Sequence, residues 1–287
     1  MSSLPAAHFR FALIGAGRVG TAVACLLKLA GHQPVAVASR SAASAEEASR
    51  RLECPIAAPP EMDAEVYLIG TGLDAIPDVA ALIPSVEGKP VIHFAGVTGT
   101  EPLSGAIERG GLACALHPVQ ACPEVDIAIQ RLPGSAWGVT CSPDAQAWAV
   151  ELIAQGLGGR PVEVPEEGRA LWHAAAVVTS NGIAALMAAG EMMIEQIGIA
   201  DPASVLGPIA VGTAENARLG GGGAATLTGP VVRGEADTLS RHLESLRGRP
   251  EHLNRLYRDV SAFIVQAAEI SGRIDPAIAK QMYETLR

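Results

Sequence analysis

Short apolar runs alternate with helical patterns over the first half of the chain. Runs with the length and composition of buried strands occupy residues 9–14, 34–38, 66–69, 90–94, 112–116, 137–141 and 161–164. Apolar residues with helical spacing lie between them, at residues 21–30, 42–52, 75–83, 101–109 and 143–156. This alternation predicts an α/β fold with a doubly wound, mostly parallel sheet.

The pattern changes at about residue 166, after which no further strand is predicted. Ala-, Leu- and Ile-rich segments at residues 168–197, 202–218, 235–247, 250–271 and 275–286 predict only helices. We therefore expect a sheet domain at residues 1–165 and an all-helical domain at residues 166–287. Four glycines at residues 220–223 are either a flexible connector or a hinge that lets the following segment close on a ligand.

The longest apolar stretch, residues 174–190, is short for a membrane span. It also contains Thr179, Ser180 and Asn181, whereas a bilayer span needs about 20 mostly apolar residues. We therefore predict a buried core helix and no membrane contact.

Charge and cysteine content restrict the classes of partner. The 287 residues are 49% hydrophobic, and 21 Lys and Arg against 30 Asp and Glu give a net charge of −9. An acidic chain argues against nucleic acid or an anionic membrane as the main partner. The 5 cysteines are far apart and form no C-x-x-C pair, so neither a disulfide framework nor a metal site is predicted. With no secretory signal pattern at the start, the cytoplasm is the expected location.

A glycine-rich turn follows the first predicted strand and opens the first predicted helix. Gly15 permits the tight turn, Gly17 lets the backbone approach a pyrophosphate, and Gly20 allows close packing of helix on strand. The helix N-terminus offers free N–H groups to phosphate. The predicted cofactor-binding residues here are Gly15, Ala16, Gly17, Arg18, Val19 and Gly20.

The end of the second strand indicates which dinucleotide binds. NAD-binding proteins usually have Asp or Glu there for the ribose 2′-OH, whereas this chain has Ser39, Arg40 and Ser41. An arginine and two hydroxyls suit a 2′-phosphate, so NADP(H) is favoured. The alternative is that Arg40 is a solvated loop residue. Thr71 and His93, at the ends of later strands, are further candidates for cofactor binding.

Three segments carry candidate chemistry for a reduction, which needs a proton donor and groups that stabilise developing charge. His117 ends a predicted strand at the rim where open α/β sheets bind ligands. His173, Ser180 and Asn181 share one face of a helix, with about 20° between the first two and about 80° between His173 and Asn181. Arg233, in a Gly- and Pro-bounded loop, is a candidate to hold a substrate carboxylate.

Each of these residues also has a structural interpretation. His117 could simply bond a loop, the polar helix face could make core hydrogen bonds or subunit contacts, and Arg233 could pair with Glu235.

Together the motifs resemble a family of bacterial Rossmann-like oxidoreductases whose C-terminal half is domain of unknown function 2520. They are the glycine turn, His93-Phe94-Ala95-Gly96, Leu116-His117-Pro118-Val119-Gln120, Trp172-His173-Ala174-Ala175-Ala176 with Ser180-Asn181, and Leu227-Thr228-Gly229-Pro230 with Arg233-Gly234. The family usually has Tyr where Trp172 stands and Asp where Glu235 stands.

The resemblance implies an NADP-binding Rossmann domain and a helical domain of the 6-phosphogluconate dehydrogenase C-terminal type, through which a homodimer forms. Ketopantoate reductases have a similar layout and use Lys and Asn on the helix that enters the second domain. Here His173 stands in the lysine-like place and Asn181 lies eight residues on. Prephenate dehydrogenases, also similar, carry His-Pro after a late strand, as at His117-Pro118.

The expected function is NADP-dependent reduction of a carbonyl or imine in a small anionic metabolite, such as a 2-oxo acid like ketopantoate. His117 or His173 would donate the proton, Ser180 and Asn181 would orient the carbonyl, and Arg233 would hold the carboxylate. One alternative is an oxidative dehydrogenase of the prephenate or hydroxy-acid kind. The other is a non-catalytic NADP(H) sensor, because the helix carries no lysine.

Overall fold

Seven strands form one sheet in the computed structural model, which describes Leu4 and residues 8–287. They are β1 (Arg10–Ile14), β2 (Gln33–Ala38), β3 (Val66–Ile69), β4 (Pro90–His93), β5 (Leu112–Pro118), β6 (Ala136–Cys141) and β7 (Arg160–Glu163), in the spatial order β2-β1-β3-β4-β5-β6-β7. The first five strands are parallel, β6 runs antiparallel to β5, and β7 runs parallel to β6. The predicted mostly parallel sheet is confirmed.

Helices connect most of the strands and make up most of the chain after β7. They are α1 (Arg18–Leu29), α2 (Ala42–Leu52), α3 (Ile76–Leu82), α4 (Ser104–Ile107), α5 (Val125–Arg131), α6 (Gln146–Glu151), α7 (Arg169–Glu195), α8 (Pro202–Leu219), α9 (Ala236–Ser245), α10 (Glu251–Ile270) and α11 (Pro276–Leu286). The helical C-terminal part is confirmed, and α5 is an element that the sequence pattern did not predict.

Alternating side chains of the central strands build a core on each face of the sheet. Phe11 and Leu13 of β1 pack in one cluster with α1, α2 and α5, and Ala12 and Ile14 pack in the other with α3 and α4. Successive strand residues point to opposite faces, so a fully apolar strand suits a sheet covered on both sides. The carboxyl ends of β1, β3, β4 and β5 consequently meet at one rim.

The chain divides into two compact units, one ending at Ser180 and the other spanning Asn181–Arg287. The division falls inside α7, whereas the sequence placed the domain boundary between residues 165 and 166, where the strands stop. That boundary describes a change of element type and stays a prediction. The second unit has its own core, formed by residues of α9, α10 and α11 together with Val231.

The glycine segment after α8 is held by hydrogen bonds. Gly221 and Gly222 have positive φ angles of 86° and 111°, which glycine adopts at no steric cost. Gly220 N donates to Asn216 O at 2.7 Å and Gly222 N to Ala217 O at 2.9 Å. Just after the glycines, Arg273 donates to Ala225 O at 2.5 Å and to Leu227 O at 2.9 Å. Its action as a hinge remains a prediction.

The long apolar helix forms, but its predicted burial is wrong. Between residues 174 and 190 only Ala189 is buried in the described structure, and the 18-residue apolar window of this helix is 6% buried. By length and composition alone it could cross a membrane. Large apolar side chains exposed along α7, α8 and the segment between them are Leu171, Val177, Val178, Ile183, Leu186, Met192, Ile197, Ile199, Val205, Ile209, Val211 and Leu219. We call this set the apolar face.

Candidate functional site

The glycine turn after β1 has the geometry of an anion-binding helix start. Gly15 has φ of 94° and donates to Ala38 O of β2 at 2.8 Å. Gly17 caps α1 without any side-chain hydrogen bond. The first N–H groups of a helix have no intrahelical partner, and the helix dipole favours negative charge there. The start of α1 is therefore free to bind phosphate.

The two residues that follow β3, Gly70 and Thr71, pack against this turn. A Cβ on Gly15 would lie 2.6 Å from Thr71 N, and one on Gly70 would overlap Gly15 O. Gly70 was not among the residues predicted from the sequence. The one sequence feature that could have identified Gly70 is its position directly after a buried strand. That this position packs against the glycine turn is seen only in the structure.

A cavity of about 290 Å³ opens beside the turn. It is lined by Gly17, Arg18, Val19, Gly20, Gly70, Thr71, Leu73, Phe94, Ala95 and Cys122. Thr71 Oγ1 is buried and has no hydrogen-bond partner among the described residues. Because a buried hydroxyl normally has a partner, this orphaned atom fits a polar ligand in the cavity. The turn, the free helix start and Thr71 together suit the dinucleotide expected from sequence.

The three residues after β2 have different environments. Ser41 caps α2, where its hydroxyl accepts from Ser44 N at 3.4 Å. Ser39 is half-buried and Arg40 is exposed. No hydrogen bond or ion pair joins Arg40 to another residue in the described part of the chain, and its contact with a 2′-phosphate stays a prediction.

His117 and His173 are brought together at the rim of the sheet. Their rings meet edge to face with centroids 5.3 Å apart. A Cβ on Gly96, three residues after β4, would overlap His173 Nδ1 and lie 2.8 Å from His117 Nε2. Both ring nitrogens therefore lie directly against Gly96, at a position where only a residue without a side chain fits. His173 Nδ1 is buried and unpaired among the described residues.

Trp172 fixes the other side of the His117 ring. Its indole Nε1 donates to His117 Nδ1 at 3.1 Å. Burial first, and then the nearby His173 and Arg169, lower the pKa of His117 to about 4. His117 is therefore neutral at pH 7.

Arg169 is a buried cation that was not assigned to the site from the sequence. It is 1% exposed and donates to Ala95 O at 2.8 Å, Thr98 O at 3.0 Å and Gly138 O at 3.2 Å. These carbonyls accept from three of its N–H groups, and burial lowers its pKa, which the nearby Glu166 carboxylate partly offsets. Arginine remains protonated in proteins, so a positive potential acts on the site.

Glu166 fastens the loop after β4 to the same region. Its carboxylate accepts from Gly99 N and Thr100 N, both at 2.9 Å. Together with Arg169 it fixes the backbone on either side of Gly96. The sequence signal for both residues was weak, since each is one charged residue near the start of an apolar helix.

His93, expected to bind cofactor, uses both ring nitrogens within its own loop. Nε2 donates to Gly99 O at 2.6 Å and Nδ1 accepts from Ala95 N at 3.1 Å. Its side chain is fully buried, and burial lowers its pKa to about 4. In the structure the ring shapes the loop that carries Gly96.

The remaining candidates are not joined to the histidine pair by any described hydrogen bond. Ser180 and Asn181 are exposed, and their role in orienting the carbonyl stays a prediction. Arg233 is exposed in the second unit and pairs with Glu235 at 2.5 and 3.1 Å, the structural alternative that the sequence left open. Among the described residues, no three His, Cys, Asp or Glu side chains form a group that could hold a metal ion.

The fold and the glycine turn define a chain with a Rossmann-like domain followed by a helical part. Residues 1–118 match the model of the Rossmann-like domain, and residues 135–264 match that of the domain of unknown function DUF2520. The chain thus carries these two domains in succession, and the resemblance seen in the sequence is confirmed.

Solved structures share this fold at low sequence identity. The chain is similar to BF3122 of Bacteroides fragilis, provisionally named an NADP oxidoreductase, with 24% identity, a TM-score of 0.73 and coverage of 90% of this chain and 98% of that one. An imine reductase from a Pseudomonas species gives 17% identity, a TM-score of 0.63 and coverage of 98% and 100%. A reductive aminase from Aspergillus terreus, in complex with NADPH and ethyl-5-oxohexanoate, gives 18% identity, a TM-score of 0.65 and coverage of 98% and 100%. No curated protein sequence matches the chain.

Proposed function

We propose that this protein is a cytoplasmic, NADP-dependent oxidoreductase that reduces the carbonyl or imine of a small carboxylate-bearing metabolite, such as a 2-oxo acid of the ketopantoate type. The observation that carries the proposal is the convergence of His117 Nε2 and His173 Nδ1 above Gly96. This convergence lies on the loop that continues from Phe94 and Ala95, which line the cavity beside the glycine turn.

The proposed cofactor residues are those whose local structure suits phosphate and ribose. The N–H groups that begin α1 would hold the pyrophosphate, Thr71 would bond the dinucleotide, and Ser39, Arg40 and Ser41 would bind the 2′-phosphate. Bound NADPH supplies the hydride. Similar structures include one provisionally named an NADP oxidoreductase and a reductive aminase in complex with NADPH, which supports this choice of cofactor.

The protein's own contribution to the reaction is orientation and electrostatic stabilisation. The two imidazole nitrogens would bond the oxygen or nitrogen that gains charge as hydride arrives. The buried charge of Arg169 favours an anionic substrate and a carbonyl oxygen that becomes negative, because opposite charges attract strongly where water is excluded. This potential favours reduction of a carbonyl over reduction of a cationic iminium.

We further propose that a second copy of the chain covers the apolar face. Twelve large exposed apolar side chains on two helices and the segment between them are typical of an interaction site. A homodimer through the helical part would bury it. A membrane is the competing occupant, since the same helix is long and apolar enough to span one.

Filling the space above Gly96 is the sharpest test of the proposed site. Gly96→Ala places a methyl group against both imidazoles and is expected to reduce NADPH-dependent turnover of a 2-oxo acid and imine panel by about 10²-fold or more. Gly105→Ala is the matched control, since nothing lies within 4 Å of a Cβ there. NADPH binding, followed by fluorescence, should survive in both variants.

Three outcomes would count against the proposal. Tight NADPH binding without turnover of any panel member would favour the sensor. Tighter binding of NADH than NADPH would overturn the role of Arg40. Unchanged turnover in Gly96→Ala and in single His117→Ala, His173→Ala and Arg233→Ala variants would exclude the assigned residues.

A further inference from the structure

A tryptophan beside the histidine pair decides which nitrogen of His117 carries the proton. Trp172 Nε1 lies 3.1 Å from His117 Nδ1. An indole nitrogen can only donate, whereas each nitrogen of a neutral imidazole is either a donor or an acceptor. His117 Nδ1 must therefore be the unprotonated acceptor, and the proton of the neutral ring must be on Nε2.

The neutral form is the relevant one in the free protein. His117 is largely buried, with His173 and Arg169 nearby, so its ring stays uncharged until the pH approaches 4. A neutral ring can exist as either tautomer. The hydrogen bond from Trp172 selects one of them.

The Trp172 indole packs against β6, the strand that pairs with the strand of His117. His117 of β5 pairs with Gly138 of β6 in the antiparallel ladder. A Cβ on Gly138 would lie 2.7 Å from Trp172 Nε1 and 3.1 Å from Arg169 Nη1. The missing side chain at Gly138 thus makes room for the indole beneath the His117 ring. Packing and hydrogen bonding specify the same position for Trp172.

The selected proton is on the nitrogen assigned to the proposed reaction site. His117 Nε2 lies against Gly96, as does the unpaired Nδ1 of His173. Since Trp172 and His173 are consecutive residues of α7, one turn of helix supplies both the group that sets the tautomer and the second nitrogen.

We infer that Trp172 is a positioning residue that holds His117 as the Nε2–H tautomer and so makes His117 Nε2 a hydrogen-bond donor to the reacting carbonyl oxygen. This inference rests on the proposed function only for its last step. The tautomer itself is a property of the free chain.

Nitrogen NMR of the full-length protein labelled with ¹⁵N-histidine tests the assignment directly, because protonated and bare ring nitrogens have well-separated shifts. The His117 signals are assigned by their loss in His117→Gln. At pH 7.5 the wild-type protein should show a protonated Nε2 and a bare Nδ1. In Trp172→Phe, which keeps a ring but lacks a donor, the His117 signals should move towards mixed tautomers. The pKa of His117 should rise, since the bond to its neutral form is lost.

Activity gives a second readout of the same variant. Trp172→Phe should lower kcat by about tenfold or more, in line with the loss of an oriented proton donor, with a smaller change in KM. If Trp172→Phe does not fold, the test uses the wild-type protein instead. The indole N–H resonance of Trp172, followed in a pH titration, should shift as His117 takes up a proton.

The outcomes separate the inference from the proposed function. A protonated Nδ1 in the wild-type protein overturns the inference whatever the activity. An unchanged tautomer and pKa of His117 in Trp172→Phe, or an indole resonance that does not follow His117, overturns the role of Trp172. The Nε2–H tautomer in a protein that reduces nothing leaves the tautomer assignment standing and removes the proposed function.

Discussion

Several glycines at the carboxyl edge of the sheet allow neighbouring backbone or side-chain atoms to pack where a Cβ would otherwise lie. Gly15, Gly17 and Gly20 could be identified from the sequence because their spacing follows a strand and opens a helix. Gly70 was not identified, and Gly96 appeared only within the motif that begins at His93. The role of each depends on a contact remote in sequence: Gly15 O for Gly70 and two imidazoles for Gly96. The pattern of one segment does not encode such contacts.

Gly70 provides a prediction at this scale. In Gly70→Ala the added methyl group overlaps Gly15 O, so the turn must move away from β3. We expect weaker NADPH binding and a loss of about 1–3 kcal/mol in the free energy of unfolding, the usual cost of overpacking. Titration of NADPH fluorescence and urea unfolding measure the two effects.

Gly72→Ala is the control for Gly70→Ala, since a Cβ there meets nothing within 4 Å and its φ of −63° is ordinary. Equal NADPH affinity and stability in the two variants would mean that the contact between Gly70 and the turn has no consequence for binding.

The polar residues of the site were only partly predictable. His117 and His173 were found because each lies at a strand end or on a polar helix face. Trp172 and Arg169 are neighbours in the same helix turn, yet nothing local shows that one bonds His117 and the other three carbonyls. Those roles depend on how α7 docks against β4 and β6.

At the scale of elements, strand positions were predictable and strand direction was not. All seven apolar runs became strands, because hydrophobic length and β-branched content specify an extended, buried segment. The reversal at β6 depends on the connection from β5, where α5 has only seven residues. Such a short amphipathic stretch gives little periodic signal.

The helices α7 and α8 carry a prediction of their own. Val205 and Ile209 lie one turn apart on α8 and are 56% and 68% exposed. If a second copy covers the apolar face, a charge at Ile209 must be buried without a partner, which is strongly unfavourable. Sedimentation at micromolar concentration should show a dimer for the wild-type protein and a monomer for Ile209→Glu.

Leu29→Glu is the control for Ile209→Glu, since Leu29 is an exposed apolar residue at the end of α1, outside the apolar face. A wild-type monomer, or a protein that partitions onto lipid vesicles instead of dimerising, would contradict the homodimer.

For the whole molecule, buried neutral histidines link stability to pH. His93 and His117 have pKa values of about 4 in the folded chain, chiefly because of burial, against the ordinary histidine value of 6.5. Between these values the unfolded chain binds more protons. Their contribution to stability is therefore complete above about pH 6.5 and is lost as the pH falls towards 4.

Urea unfolding between pH 4.5 and 7.5 measures this linkage. The free energy of unfolding should fall on acidification, with each histidine adding a slope of up to about 1.4 kcal/mol per pH unit. His117→Gln should flatten the profile, whereas His252→Gln, at an exposed position on α10, should not. Parallel profiles for wild type and His117→Gln would show that His117 is not held neutral by the fold.

The different surroundings of Arg169 and Arg40 give the two arginines different sensitivities to salt. Dissolved ions screen an exposed guanidinium such as Arg40, but they cannot approach one enclosed by three peptide carbonyls. Raising the ionic strength should therefore reduce the affinity of Arg40 for the ribose 2′-phosphate more than the affinity of the buried site for a substrate carboxylate. Cofactor and substrate affinities would then diverge in concentrated electrolyte.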